Sequence, residues 1–256
     1  INRNAQPGSI TIGAPPGAPP STATPPRITP RPENSDGVNV RSGPTAASSV
    51  GGANIIGKLY GDAEPIGQFG REAAGIWWWK IRYNDHGQDV EGWVRSDVVN
   101  VEGHIDFPPP KPWGSPLTPP INIAWGFGGS HNGIDLTSST SMSVSAMADG
   151  AALAFPNTDE PYGSDRPIPS GVSYWINVVH EHPDGKIYWI QYTHIAQRDR
   201  NPNLQLGTFF TQHTGVGSYS DVGRATGPHL HISIKETYKD EPVGDVLNPA
   251  NYIPGL

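Results

Sequence analysis

Three short patterns in the C-terminal half bring together residue types that do chemistry in combination. His131-Asn132-Gly133-Ile134-Asp135 reads H-x-x-x-D and follows the glycines of Gly126-Phe127-Gly128-Gly129. Glycine lets a backbone turn tightly, so this pair is placed on a loop or strand edge rather than on a helix. Gly227-Pro228-His229-Leu230-His231-Ile232-Ser233-Ile234 alternates aliphatic and polar residues, the period of two that marks a strand. Its polar face presents two imidazoles about 7 Å apart along the strand. Tyr188-Trp189-Ile190-Gln191-Tyr192-Thr193-His194 is strand-like and ends on a histidine. Each pattern alone fits an ordinary surface histidine. Together they offer imidazole nitrogen and carboxylate oxygen, which zinc accepts in four-coordinate sites that leave one position open in enzymes. His131, Asp135 and one histidine of the His229/His231 pair make such a set. The remaining histidine of that pair and His194 are then free to move protons and stabilise charge beside the ion.

Composition narrows what can position these residues. The chain has no cysteine, so a zinc ion here must be held by histidine and aspartate. Gly and Pro number 31 and 28 of 256 residues, a density that breaks long helices and coiled coils. They show no three-residue glycine period, which excludes collagen. Eight Trp, nine Tyr and six Phe supply large apolar surfaces and argue against a disordered chain. The net charge of -7 lacks the basic footprint of a nucleic-acid binder, and no run approaches 18 apolar residues, so no membrane span is expected. The chain opens on Ile1 without the pattern of a signal peptide, as expected of a processed mature chain.

Proline placement divides the chain. Nine prolines fall in 1–36 and seven in 108–120, both read as extended spacers without a core. The expected organisation is a proline-rich arm (1–36), a small domain (37–107), a proline-rich linker (108–120) and a larger domain (121–256). Within the small domain, the strand-like runs around IWWWKIRY (76–83) and from Val90 flank a glycine-containing loop and read as a hairpin. Alternate residues of Trp77, Trp78 and Trp79 are expected to pack into a core.

The order NVRSGP, WWKI, GWV over residues 37–102 closely resembles the bacterial SH3-like (SH3b) domain, a small β-barrel often attached to cell-wall enzymes. In the larger domain, H-x-x-x-D (His131, Asp135), Ala148-Asp149-Gly150, Tyr192-Thr193-His194 and Thr226-Gly227-Pro228-His229-Leu230-His231 follow one another in the order of the lysostaphin/LytM-type zinc endopeptidases, which the chain resembles. Asn248-Pro249 and Tyr252 match a further C-terminal signature of that family.

These resemblances imply a mainly β protein, with an SH3-like barrel followed by an antiparallel β-sheet metallopeptidase domain and few short helices. They imply Zn2+ held by His131, Asp135 and His231, and His194 and His229 as catalytic residues, with His180 not a ligand. Tyr162 and Tyr174 are both counterparts for a substrate-binding groove tyrosine. Residues 156–171 read as an insertion where relatives have a short loop. The implied function is that of a secreted or cell-wall-associated, monomeric endopeptidase. It would cleave peptide cross-links or bridges of bacterial peptidoglycan, a zinc-activated water attacking the scissile carbonyl with two histidines assisting. The alternative is a catalytically inactive LytM-like protein that binds the wall or activates other wall hydrolases.

Overall fold

The computed structural model describes residues 25–155, 175–223, 225–238 and 241–256. The chain is predominantly antiparallel β-sheet, and its helical pieces among the described residues are five 3-10 turns of three residues each. Among the described residues, no helix is long and apolar enough to cross a membrane.

The N-terminal strands are β1 (Arg27–Pro30), β2 (Val38–Arg41), β3 (Ile55–Leu59), β4 (Ala63–Phe69), β5 (Trp78–Asp85), β6 (Gln88–Arg95) and β7 (Val99–Glu102). They form one sheet in the order β3-β2-β6-β5-β4-β1-β7. The expected hairpin is β5–β6, closed at His86 and Gly87, both at positive φ, which matches the two left-handed positions of a tight hairpin turn. The expected closed barrel is not observed. The strand path runs openly from β3 to β7, and β4 and β7 are joined through β1, a strand built from residues at the end of the proline-rich stretch.

Alternation sends the β5 tryptophans to opposite faces. Trp79 joins Ile28, Val40, Ile81 and Val94 in a core that belongs to this sheet. Trp78 joins Phe69 and Trp93 on the other face, where they pack on Ala151, Leu153, Val179 and Ile187 of the C-terminal half. The core at this junction is therefore shared between two sheets.

The C-terminal strands are β8 (Ile121–Trp125), β9 (Ile134–Ser138), β10 (Ser143–Ser145), β11 (Gly150–Ala154), β12 (Trp175–Glu181), β13 (Ile187–Thr193), β14 (Ile195–Arg200), β15 (Phe209–Phe210), β16 (Gly215–Tyr219), β17 (Leu230–Tyr238) and β18 (Glu241–Leu247). An eight-stranded sheet runs β15-β11-β12-β13-β17-β9-β8, with β18 also on β17, and β10-β16-β14 form a small second sheet. One face of the large sheet buries Ile176, Val178, Ile190, Tyr192, Leu230, Ile232 and Ile234 in the main core. The opposite face is split. Val179, Ile187 and the half-buried Trp189 lie under the N-terminal sheet, and the rest carries the histidines.

Polar bonds pin the junction. The Ser49 hydroxyl donates to the Leu153 carbonyl at 2.7 Å, Asn54 Nδ2 to the Gly207 carbonyl at 3.1 Å, and the Gly70 N–H to Glu181 Oε1 at 2.8 Å. Burial pushes the Glu181 carboxyl up to about 7, against the opposing pull of the Gly70 N–H and of Arg71. An acid whose pKa rises on folding contributes stability that is complete below the ordinary carboxylate range and is lost as pH rises through 7. Glu181→Gln keeps an acceptor for Gly70 and removes that titration. From pH 5 to pH 8, wild type is expected to lose on the order of 2 kcal/mol relative to this variant, measured by urea unfolding at each pH. Trp78→Ala is expected to cost about 3–5 kcal/mol. Because the core is shared, near-UV circular dichroism and tryptophan emission should report one common unfolding transition for the variant.

Candidate metal centre

Cross-strand register assembles the site. His231 on β17 lies opposite Asp135 on β9, and Asp135 lies opposite Trp125 on β8. On the other side of β17, His231 faces Thr193 on β13. Antiparallel partners share a sheet face, so Thr193, His231, Asp135 and Trp125 form one row across four strands. The alternation expected of 229–234 is present from Leu230 onward, and His229 stands just before the strand.

His131 reaches the row from a tight turn. Its backbone exchanges hydrogen bonds with Gly128 at 3.0 and 3.1 Å, and Gly128 and Gly129 both take positive φ, 125° and 61°. The H-x-x-x-D pair is therefore loop-to-strand. Gly133 between them lies flat against β17. A Cβ there would collide with the Ile232 carbonyl oxygen and come within 2.7 Å of the His231 ring.

Three side-chain atoms converge. His131 Nε2 is 3.2 Å from Asp135 Oδ1 and 3.1 Å from His231 Nδ1, and His231 Nδ1 is 2.8 Å from Asp135 Oδ1. The second nitrogen of each imidazole is held elsewhere. His131 Nδ1 donates to the Gly126 carbonyl at 2.8 Å, and His231 Nε2 lies 3.0 Å from the Ser233 hydroxyl. The Gly126 carbonyl sets the His131 tautomer, and the Ser233 hydroxyl accepts from His231 Nε2 whenever His231 Nδ1 turns its lone pair to the cluster, so three lone pairs can face one cation. Ligand atoms of a tetrahedral zinc, each at roughly 2.0–2.1 Å from the ion, lie about 3.3 Å apart. The His/Asp/His cluster is thus consistent with a zinc site in both donor chemistry and spacing. The Trp125 indole stacks on the His131 ring at 4.5 Å between centroids, 15° from parallel, and is otherwise exposed.

His194 and His229 stand beside the cluster with ring centroids 4.4 Å apart, and His194 is 6.3 Å from His231. His194 Nδ1 donates to the Val222 carbonyl at 2.7 Å and His229 Nδ1 to the Gly227 carbonyl at 2.8 Å. Both rings are left with a free Nε2, and that of His229 lies 3.5 Å from Asp135 Oδ1. Burial brings His194 down to about 4, with the Val222 bond opposing. Burial also lowers His231, against the pull of Asp135. His194 sits at φ 65°, a left-handed backbone that non-glycine residues seldom adopt.

His180 is fully buried, with Nε2 2.8 Å from the Tyr192 hydroxyl, away from the cluster. Tyr162, Tyr174 and the expected insertion lie outside the described residues. Ser233 and Trp125 were not singled out from the sequence. Ser233 was visible as the next polar residue of the β17 alternation, whereas Trp125 depends on a pairing with β9 that has no local signal.

No family model and no curated protein matches the chain. Solved structures do resemble it. The catalytic domain of the antimicrobial peptidase lysostaphin from Staphylococcus simulans is 18% identical, with 56% of this chain and 88% of that chain covered and a TM-score of 0.34. A mutant catalytic domain of the prophage-encoded M23 protein EnpA from Enterococcus faecalis is 19% identical over 54% of this chain and 96% of that chain, TM-score 0.37. A zinc-containing peptidase from Vibrio cholerae is 14% identical over 66% of this chain and 55% of that chain, TM-score 0.38.

The packing of Gly133 yields a direct test. Gly133→Ala is expected to push the His231 ring off the cluster and weaken zinc binding by on the order of tenfold or more, measured by competition with a chromogenic chelator.

Proposed function

We propose that the chain is a zinc-dependent endopeptidase. The observation that carries this reading is the convergence of His131 Nε2, Asp135 Oδ1 and His231 Nδ1 within 3.2 Å of one another, beside two further imidazoles with free Nε2 atoms. His131, Asp135 and His231 would hold the ion. When bound, zinc supplies Lewis acidity toward a water and a carbonyl oxygen.

The chain's own groups supply the proton handling. His194 is neutral at neutral pH because burial lowers its pKa. Its tautomer is set by Val222, so Nε2 accepts a proton while Nδ1 stays bonded. His229 has the same arrangement, with Gly227 as its anchor. Two such rings side by side take a proton from the attacking water, stabilise the developing oxyanion and return the proton to the leaving amine. Asp135 offsets the positive charge that builds on them.

The motif order further supports a lysostaphin/LytM-type enzyme. On this reading it is secreted or wall-associated and monomeric, and it acts on the peptide part of bacterial peptidoglycan. Residues 121–256 then act as the peptidase and the N-terminal sheet as a wall-contacting part, but neither proline-rich segment is a bare spacer: Arg27–Pro30 is a strand of the N-terminal sheet, and Trp113 and Leu117 are buried in the main core.

His231→Ala is expected to lose bound zinc and wall lysis together. His194→Ala is expected to keep zinc and lose about 100- to 10,000-fold in kcat. Metal analysis and a peptidoglycan zymogram read the two effects. A wild-type protein that holds zinc yet releases no peptide fragments overturns the enzymatic reading and favours a non-catalytic wall-binding role.

A further inference from the structure

The face that carries the metal row has a second polar row that the chemistry above does not use. Asn177 on β12, Gln191 on β13 and Ser233 on β17 are cross-strand partners. Their side chains therefore stand on the same face as Thr193 and His231, one step further along the strands. One step beyond them, Val179 and Trp189 lie under the N-terminal sheet. The polar row is thus a strip of floor between the metal row and the flank of the N-terminal sheet.

Its chemistry is specific. Gln191 Nε2 donates to Asn177 Oδ1 at 3.1 Å. That bond leaves the Gln191 carbonyl oxygen as an acceptor and the Asn177 amide as a donor. Such a pair is the complement of a peptide group, which offers one N–H and one C=O. Asn177 is only 8% exposed, and polar groups this deep are costly without partners. Thr193 gives a second, independent sign. It is 6% exposed and its hydroxyl has no hydrogen-bond partner. A hydroxyl left unpaired at the inner end of the strip, on the row of His231, marks a place where a further polar group is missing. No residue of the strip carries a charge.

We propose that Asn177, Gln191 and Thr193 form a subsite for an uncharged backbone peptide group of the extended substrate, one row from the metal cluster. The subsite rests on the endopeptidase reading for its ligand class. Its energy comes from hydrogen bonds made to substrate and transition state alike, so it governs binding more than turnover.

The test uses the full chain and a soluble, fluorophore-labelled peptide dimer of the peptidoglycan cross-link. Gln191→Leu and Thr193→Val are each expected to raise KM about 5- to 10-fold, the scale of one lost hydrogen bond. The kcat and the zinc affinity from chelator competition should stay within about twofold of wild type. Thr193→Ser should restore wild-type KM. Thr193→Val should melt no lower than wild type, since it removes an unpaired buried hydroxyl; a purely structural threonine would lower the melting temperature and leave KM unchanged. Anisotropy of the same labelled peptide on zinc-free protein reads the subsite without any chemistry. If wild type binds the peptide more tightly than both variants but cleaves nothing, the enzymatic reading fails and the subsite stands. If wild type cleaves and both variants match it in KM and in binding, the subsite is overturned and the enzymatic reading stands.

Discussion

Two imidazole nitrogens and a carboxylate oxygen held within 3.2 Å of one another repel when all three present lone pairs, so a proton or a cation must lie among them. That confrontation organises the C-terminal half. The pairing of β9 with β17 holds the carboxylate against one imidazole, and the glycine turn at Gly128 and Gly129 returns the chain so that the other meets both. Gly133 has no side chain because there is no space for one. Trp125 and Ser233 fix the rings from outside. A site built this way makes folding and cation binding one linked process, since a metal that binds only the folded chain stabilises it by mass action.

A single face of the large sheet is divided by chemistry along its strands. The metal row comes first, then a strip of uncharged amide and hydroxyl groups, then an apolar zone under the N-terminal sheet. The opposite face is mainly aliphatic and aromatic, with His180 buried in it. The stiffness of that main core is what lets side chains on the working face be placed to within a few tenths of an ångström. The buried His180–Tyr192 bond belongs to this support, and it explains why one histidine of the domain takes no part in the cluster.

Much of this was legible because it is local. Alternation in Leu230-His231-Ile232-Ser233-Ile234 told which side chains go inward, and the glycines before His131 told that the first pair is not helical. The H-x-x-x-D and H-x-H spacings offered His131, Asp135 and one of His229 and His231, and the family resemblance chose His231 between the two. What was not legible depends on contacts distant in sequence. The pattern in Trp77-Trp78-Trp79 separates two faces but does not say that one of them meets a second sheet, so alternate residues of that run read as the packing of one barrel core. Residues Arg27–Pro30 sit in a proline-rich stretch, where composition argues for a spacer, yet β4 and β7 offer edges on which they pair. Trp125 has no neighbour in sequence that foretells the ring it stacks upon.

The shared core at Phe69, Trp78, Trp93, Leu153 and Val179 carries a consequence for how such a protein changes over generations. Modules joined by a tether can be exchanged by recombination, because each keeps its own surface. Here a new N-terminal module would have to arrive with a matching apolar face, or leave a bare hydrophobic patch next to the metal row. Substitutions on either sheet at this junction are therefore tied to compensating changes on the other. The two halves are constrained to diversify as one inherited unit, and any redesign of one half begins with the surface of the other.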